Sequence, residues 1–218
     1  MKKERKTMTT TNMIAATLKT DINHGRLNSG DTIVEREIAA KFNASHIPVR
    51  EALRILEGEG YIVHRKFSGY SVRIVTPEEM VELYDIHRFL CVKLLTQAIP
   101  RYNELTFYTF RNLMSELEAT KDTNTIVSLF LQFTEAAYSP AGLDYSAKLA
   151  LDIFNRNIPV ISAMIEQIYQ GTIPVGFHEG FVKLCQEKET AKAIDWWLAE
   201  FDRMTKGLVA IMSQIRNT

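Results

Sequence analysis

Along the first sixty residues the apolar positions recur at helical spacing. Met13, Ile14, Leu18 and Ile22 fall on one face of a helix expected from Thr10 to His24, which Gly25 closes. RLNSGD then reads as a turn cluster. A short second helix, Glu35 to Phe42, turns Ile38, Ala39 and Phe42 inward. Its entry residue Val34 has no side-chain oxygen to cap it, at a cost of about 1 kcal/mol against Ser or Asp. Ser45 is a good N-cap for a third helix, and Pro48 falls in its first turn, where a missing N–H would have had no partner anyway. Val49, Ala52, Leu53 and Leu56 form the inward stripe, and Gly58 with Gly60 ends the helix. The period then shortens to two. YIVH and YSVRIV alternate as short strands around RKFSG, a hairpin in which Gly69 is free to take a positive φ. Three helices and a hairpin within about 65 residues is the winged helix-turn-helix layout.

Beyond Thr76-Pro77, an N-cap followed by Pro at the first helical position, the helical period holds to the end. Helices are expected over 78–99, 103–120, 123–138, 143–155, 158–170, 174–186 and 189–215, with Asn, Pro and Gly at most of the breaks. The expected protein is therefore mainly α. It has an arm at 1–9, a winged helix-turn-helix over 10–75, and an all-α helical bundle over 77–218.

Charge sharpens this division. The 218 residues carry 26 basic and 26 acidic side chains, yet residues 1–75 hold 13 Lys and Arg against 8 Asp and Glu, and the remainder 13 against 18. A basic front half joined to an acidic back half suggests that only the front meets a polyanion. Cys91 and Cys185 lie in apolar helical stretches, unpaired by motif, as reduced buried thiols would, which suits a cytoplasmic protein. No apolar run follows the basic start MKKERKTMTTT, and no window reaches eighteen uninterrupted apolar residues, so neither a secretion signal nor a membrane span is expected. G-x-S-x-G, H-E-x-x-H and G-x-x-x-x-G-K-[ST] are missing, so catalysis is not expected.

The third helix carries the candidate chemistry. Its inward stripe leaves His46, Ile47 and Arg50 on the other face, and Arg36 stands at the exposed start of the second helix. A helix that only packs has no need for a face built from a ring, a branched aliphatic chain and a guanidinium. A helix in a DNA groove does: Arg can bond guanine O6 and N7 in bidentate fashion, and Ile can touch a thymine methyl. Arg65 and Lys66 at the hairpin tip could neutralise phosphates or enter the adjacent minor groove. Each has an ordinary alternative, a solvated helix arginine or a charged hairpin tip.

The stretch from Ile22 to Val72 resembles the N-terminal domain of GntR-family bacterial transcription regulators, over about residues 10–75. The elements stand in order: G-x-L-x-x-G-D from Gly25 to Asp31, EREIA, the S-x-x-PVREAL core, LEGEGYI, and a wing with G-x-x-V. The resemblance places base and phosphate contacts on Arg36, Ser45, His46, Ile47, Arg50 and Gly69. It implies a dimer on a roughly palindromic double-stranded operator. In this family the residue after the cap serine is usually Arg, and here it is His46. A neutral imidazole cannot make the bidentate guanine contact, so the usual operator preference does not carry over.

TPEEMVELYDIHRFLCVKLLTQAI and FHEGFVKLCQEKETAKAIDWWLAEF resemble the opening helix and closing pair of the FCD domain, the effector-sensing and dimerising half of FadR-like GntR regulators, over about residues 77–210. That resemblance implies a small-molecule effector. Many such domains hold a divalent metal with an Asp-x3-His pair and two later histidines. With His178 as the second histidine, the other positions are Phe130, Thr134 and Glu200, leaving two plausible ligands. A second registration uses Asp144, Lys148 and Asn157, and an ammonium cannot ligate a metal. No metal and no cofactor are therefore expected. The opening helix carries His87 and Cys91 where the domain commonly has Arg and Glu. Candidate effector contacts are Arg88, Thr134, Lys148, His178 and Glu200. Phe130, Phe133, Tyr138, Phe154, Trp196 and Trp197 could line an apolar pocket, or simply fill the core. A helical small-molecule-binding module whose winged helix has lost specific DNA binding is the rival reading.

Overall fold

The fold is described from a computed structural model for residues 9–23, 26–66, 68–167 and 176–215. The chain divides into two compact units, Met1–Val75 and Thr76–Thr218. The expected closure by Gly25, the arm up to residue 8, the hairpin-tip residue Phe67 and the ends of two expected helices between 168 and 175 lie outside the described residues.

The first unit runs α1 (Thr10–Asn23), β1 (Thr32–Ile33), α2 (Glu35–Lys41), α3 (His46–Gly58), β2 (Ile62–Arg65) and β3 (Gly69–Val72). Ile14, Leu18 and Ile22, each four residues apart, are buried on α1 against the stripe Val49, Ala52, Leu53 and Leu56 of α3. Asp21 ends this face as a buried carboxylate. It accepts 2.7 Å from Arg26 Nε and 3.0 Å from Lys41 Nζ, tying the turn after α1 to the end of α2. Burial would raise its pKa, but the two cationic donors outweigh it and hold the carboxyl below its ordinary value.

Between α2 and α3 the chain turns through Asn43, whose φ of 46° is a left-handed conformation that Asn tolerates. Gly60 takes φ 77° after α3, and Gly60 N–H and Tyr61 N–H donate back to the carbonyls of Glu57 and Leu56, which closes the helix in a Schellman motif. Gly69 takes φ 74° at the start of β3, as the hairpin required. The sheet is antiparallel in the order β1-β3-β2, with Ile33 opposite Tyr70 and Ile62 opposite Val72. Strand β1 lies just after the turn cluster, in residues to which the sequence pattern assigns no element. Two residues are too short to show alternation, and only the β3 edge makes them a strand.

The second unit is helical throughout its described residues: α4 (Pro77–Ala98), α5 (Glu104–Ala119), α6 (Thr123–Tyr138), α7 (Asp144–Arg156), α8 (Ile158–Gln167), α9 (Gly176–Gln186) and α10 (Thr190–Ile215), with 3-10 turns after α4 and α6. Thr76 and Glu79 form a reciprocal capping box with Pro77 at the first position, so α4 starts where the sequence placed it. Asn103 caps α5 and Asp122 caps α6. The core is aromatic. Phe110 stacks on Phe133 with centroids 4.7 Å apart, and Phe181 meets Trp197 edge-on at the same separation. Trp196 is instead half-exposed and lies over Gly180, where an added Cβ would come within 2.4 Å of its ring. It lines a groove on the outer surface between α9 and α10, whereas its neighbour Trp197 is buried in the core.

Candidate nucleic-acid interface and helical-domain cavity

The outward face of α3 holds four of the expected contacts. Ser45, His46, Ile47 and Arg50 are all exposed, Ile47 at 71%, while Val49, Ala52, Leu53 and Leu56 on the opposite face are at 0%. A single exposed aliphatic side chain is ordinary on a protein surface; what distinguishes Ile47 is that it shares the outward face with His46 and Arg50. Ser45 is extended at the N-cap (φ −72°, ψ 165°), but its hydroxyl makes no capping hydrogen bond. The expected cap fails for a local reason. Pro48 occupies the third helical position, so the N–H a serine usually accepts from does not exist. The hydroxyl is left for another acceptor or donor.

Arg50 is positioned by a residue that the sequence did not single out. Its Nε donates 2.9 Å to Glu35 Oε2 on α2, which fixes the guanidinium plane and leaves the terminal nitrogens to donate elsewhere. No periodic signal links Glu35 to a residue fifteen positions away on another helix. Arg36 is exposed and makes no ion pair among the described residues. Arg65 ends β2 opposite Gly69, and Lys66 follows in the exposed tip. Arg36 on α2, the α3 face and the wing therefore belong to one compact unit of known motif. That unit is a winged helix-turn-helix.

In the second unit, α4, α6, α7, α8, α9 and α10 surround a cavity of about 80 Å³. Phe130, Thr134 and Tyr138 reach it from α6 at four-residue spacing, and Trp197, Glu200, Phe201 and Met204 from α10 at helical spacing. His87, Phe154, Ile161, Met164, His178 and Arg203 complete the wall. Of the expected effector residues, Thr134, His178 and Glu200 line this space. Arg88 and Lys148 do not. Arg88 pairs with Asp202 at 2.5 Å in a separate groove, and Lys148 lies in another with Asp144 and Asp152. Both point to solvent because α4 and α7 turn other faces to the core, and the cation at the cavity is Arg203. Arg203 is bound to Glu200, with Nε 2.8 Å from Oε2. It was missed because its three-residue spacing from Glu200 reads equally well as a surface ion pair.

His87 is fully buried, and its Nε2 lies 3.1 Å from Tyr138 Oη. Burial lowers its pKa to about 4 and that of His178 to about 3, so both rings are neutral near pH 7. His178 is packed between Phe130 and Phe133, with centroids at 5.1 and 4.4 Å.

The metal set that the FCD resemblance implies can now be tested on these side chains. Phe130, Thr134, His178 and Glu200 do meet at one cavity, as the first registration required. The residues present do not fit a divalent ion: a phenyl ring stands in the carboxylate position, and the remaining carboxylate is engaged by a guanidinium that would repel the ion. Among the described residues no three His, Cys, Asp or Glu side chains gather as a possible metal site. The second registration does not assemble either. Asn157 is buried and donates to the Ile153 carbonyl, apart from the groove that holds Asp144 and Lys148.

Residues 10–72 match the family model described as "Bacterial regulatory proteins, gntR family". The first unit is a GntR-family helix-turn-helix domain. An uncharacterised HTH-type transcriptional regulator of Bacillus subtilis, YdhC, is 35% identical over 69 residues, 32% of this chain and 31% of its own length. The chain spans less than half the length of each of the first curated relatives that it matches. The Exu regulon transcriptional regulator of Escherichia coli K12 is similar over more of the chain, 26% identical over 208 residues, covering 90% of this chain and 74% of that protein. The solved structure of E. coli McbR/YncC, 18% identical, superposes with a TM-score of 0.78 over 95% of this chain and 99% of that one, which shows a shared fold. No helix among the described residues is long and apolar enough to cross a membrane.

Proposed function

We propose that the protein is a GntR-type transcription regulator that binds a roughly palindromic operator as a homodimer and responds to a small-molecule effector, in the bacterial cytoplasm and without catalysing a reaction. One observation carries the DNA reading. The α3 face formed by His46, Ile47 and Arg50 is fully presented to solvent, with Arg50 oriented from α2 by Glu35. In this reading Arg50 and Ile47 meet base edges, His46 contacts a base or a phosphate, and Ser45, Arg36, Arg65, Lys66 and the Gly69 backbone hold the phosphates. The relatives are transcription regulators by name, which supports the same role here.

Pairing is supported by the outer face of α4, where Ile86, Phe89 and Val92 are exposed, Phe89 at 80%. A single winged helix buries too little surface for tight operator binding, and a dimer supplies two half-sites. The helical cavity supports the effector role, and Thr134, His178 and Glu200 are its expected contacts. Fluorescence anisotropy with duplexes from the region upstream of the protein's own gene tests the proposal. Specific binding should exceed binding to random duplex by about 10³-fold or more, and fall steeply with salt. Equal affinity for specific and random DNA at every salt concentration would overturn it.

A further inference from the structure

The helical cavity holds little charge that a ligand could use. Its wall is mostly Phe, Ile, Met and Trp, and both imidazoles in it, His87 and His178, are fully buried among aromatic rings. The charged groups there are Glu200 and Arg203, partly exposed and bonded to each other. A carboxylate ligand would have to take Arg203 from Glu200 and then desolvate against phenyl rings. A cationic ligand would have to take Glu200 from Arg203. A metal-chelating ligand meets the misfit already described. The neutral polar groups of the wall include Thr134, Tyr138, His178 and His87, and His87 has a free ring nitrogen among the described residues. His87 lines the cavity with Nε2 engaged by Tyr138 Oη, and its Nδ1 has no hydrogen-bond partner among the described residues. Whichever tautomer Tyr138 selects, Nδ1 offers one neutral donor or one acceptor. A space of about 80 Å³ is roughly half of the ~150 Å³ that takes up a benzene ring, so an aromatic ligand enters only as flexible side chains of the wall, Met164 and Met204, give way.

We infer that this cavity binds a small, neutral, largely apolar molecule carrying one hydrogen-bonding group, of the size and kind of a simple aromatic alcohol, without a metal ion. The inference rests on reading the helical domain as the effector-binding half. It does not depend on DNA recognition.

Calorimetric titration of the full chain with benzyl alcohol, toluene, benzoate, and citrate plus zinc tests it. Benzyl alcohol should saturate one site per chain, bind about tenfold tighter than benzoate and tighter than citrate with zinc, and exceed toluene through the contact at His87. His87→Leu should abolish the preference for benzyl alcohol over toluene while keeping toluene binding. Should that variant fail to fold, Met204→Trp, which fills the cavity from α10, should remove the binding of both. Tighter binding of benzoate or of citrate with zinc, or no saturation by benzyl alcohol, would overturn the inference. Operator affinity, measured separately by anisotropy, reports on the DNA reading alone: its loss with these titrations intact would leave the ligand class standing.

Discussion

Arg50 Nε donates to Glu35 Oε2 at 2.9 Å, so the two helices of the helix-turn-helix share one ion pair on their solvent face. An exposed pair of this kind adds little to stability. Its consequence is orientation: with Nε occupied, the guanidinium swings less and its outer edge faces outward. Arg50→Ala should cost about 1–3 kcal/mol on the specific operator and much less on random DNA. Glu35→Ala should leave non-specific affinity undiminished, since a negative charge is removed, yet reduce discrimination between operator and random duplex. Anisotropy on both duplexes for both variants checks this. An equal loss on the two duplexes for Arg50→Ala would make it a phosphate contact only.

His46 should set an operator preference of its own. His46→Arg restores a bidentate donor at the first position of α3, and a selection from randomised duplexes should then enrich guanine at one position per half-site where the native protein does not. Identical selected sequences would show that His46 meets only the backbone.

Asp21 should be a stability hinge of the first unit. Its folded pKa is lowered, so its contribution is fully present above the unfolded value of about 4 and is lost as pH falls through the folded pKa. Asp21→Asn should destabilise this unit by about 1–3 kcal/mol at pH 7, because Lys41 and Arg26 lose their charge partner. Urea unfolding of wild type and variant should converge in acid. A constant difference between them down to pH 2 would reject the ion pair as the cause.

The helical unit should weaken in mild acid for a different reason. His87 and His178 stay neutral in the fold while the unfolded chain protonates near pH 6.5, so stability falls as pH drops from about 6.5 and levels off only below the folded values of about 4 and about 3. Between pH 6 and 4.5 the slope should approach two protons, roughly 2.7 kcal/mol per pH unit. His178→Phe should remove about one of them, as followed by denaturant titration across that range. A slope that the substitution leaves unchanged would point to carboxylates instead.

The outer face of α4 should carry the dimer. Phe89→Asp places a charge at a side chain 80% exposed in the single chain, so it should barely alter the melting of the monomer. It should weaken association on the order of tenfold or more. Sedimentation velocity at micromolar concentration reads this directly, and a wild-type protein that stays monomeric on and off DNA would refute the pairing.

Local chemistry made much of this molecule legible along the chain. The buried stripes of α1 and α3, the Thr76–Glu79 box and the positive φ at Gly69 follow from periodicity, capping oxygens and a missing Cβ, all of which are properties of neighbours in sequence. Even the meeting of Phe130, Thr134, His178 and Glu200 was readable, since helical spacing and a family pattern fix which faces converge. Tertiary structure alone decided the rest. Strand β1 exists because β3 offers it an edge, and Glu35 reaches Arg50 across two helices. Arg203, and neither Arg88 nor Lys148, stands at the cavity because helix rotation, set by which faces the whole bundle buries, chooses among cations that the chain lists as equals.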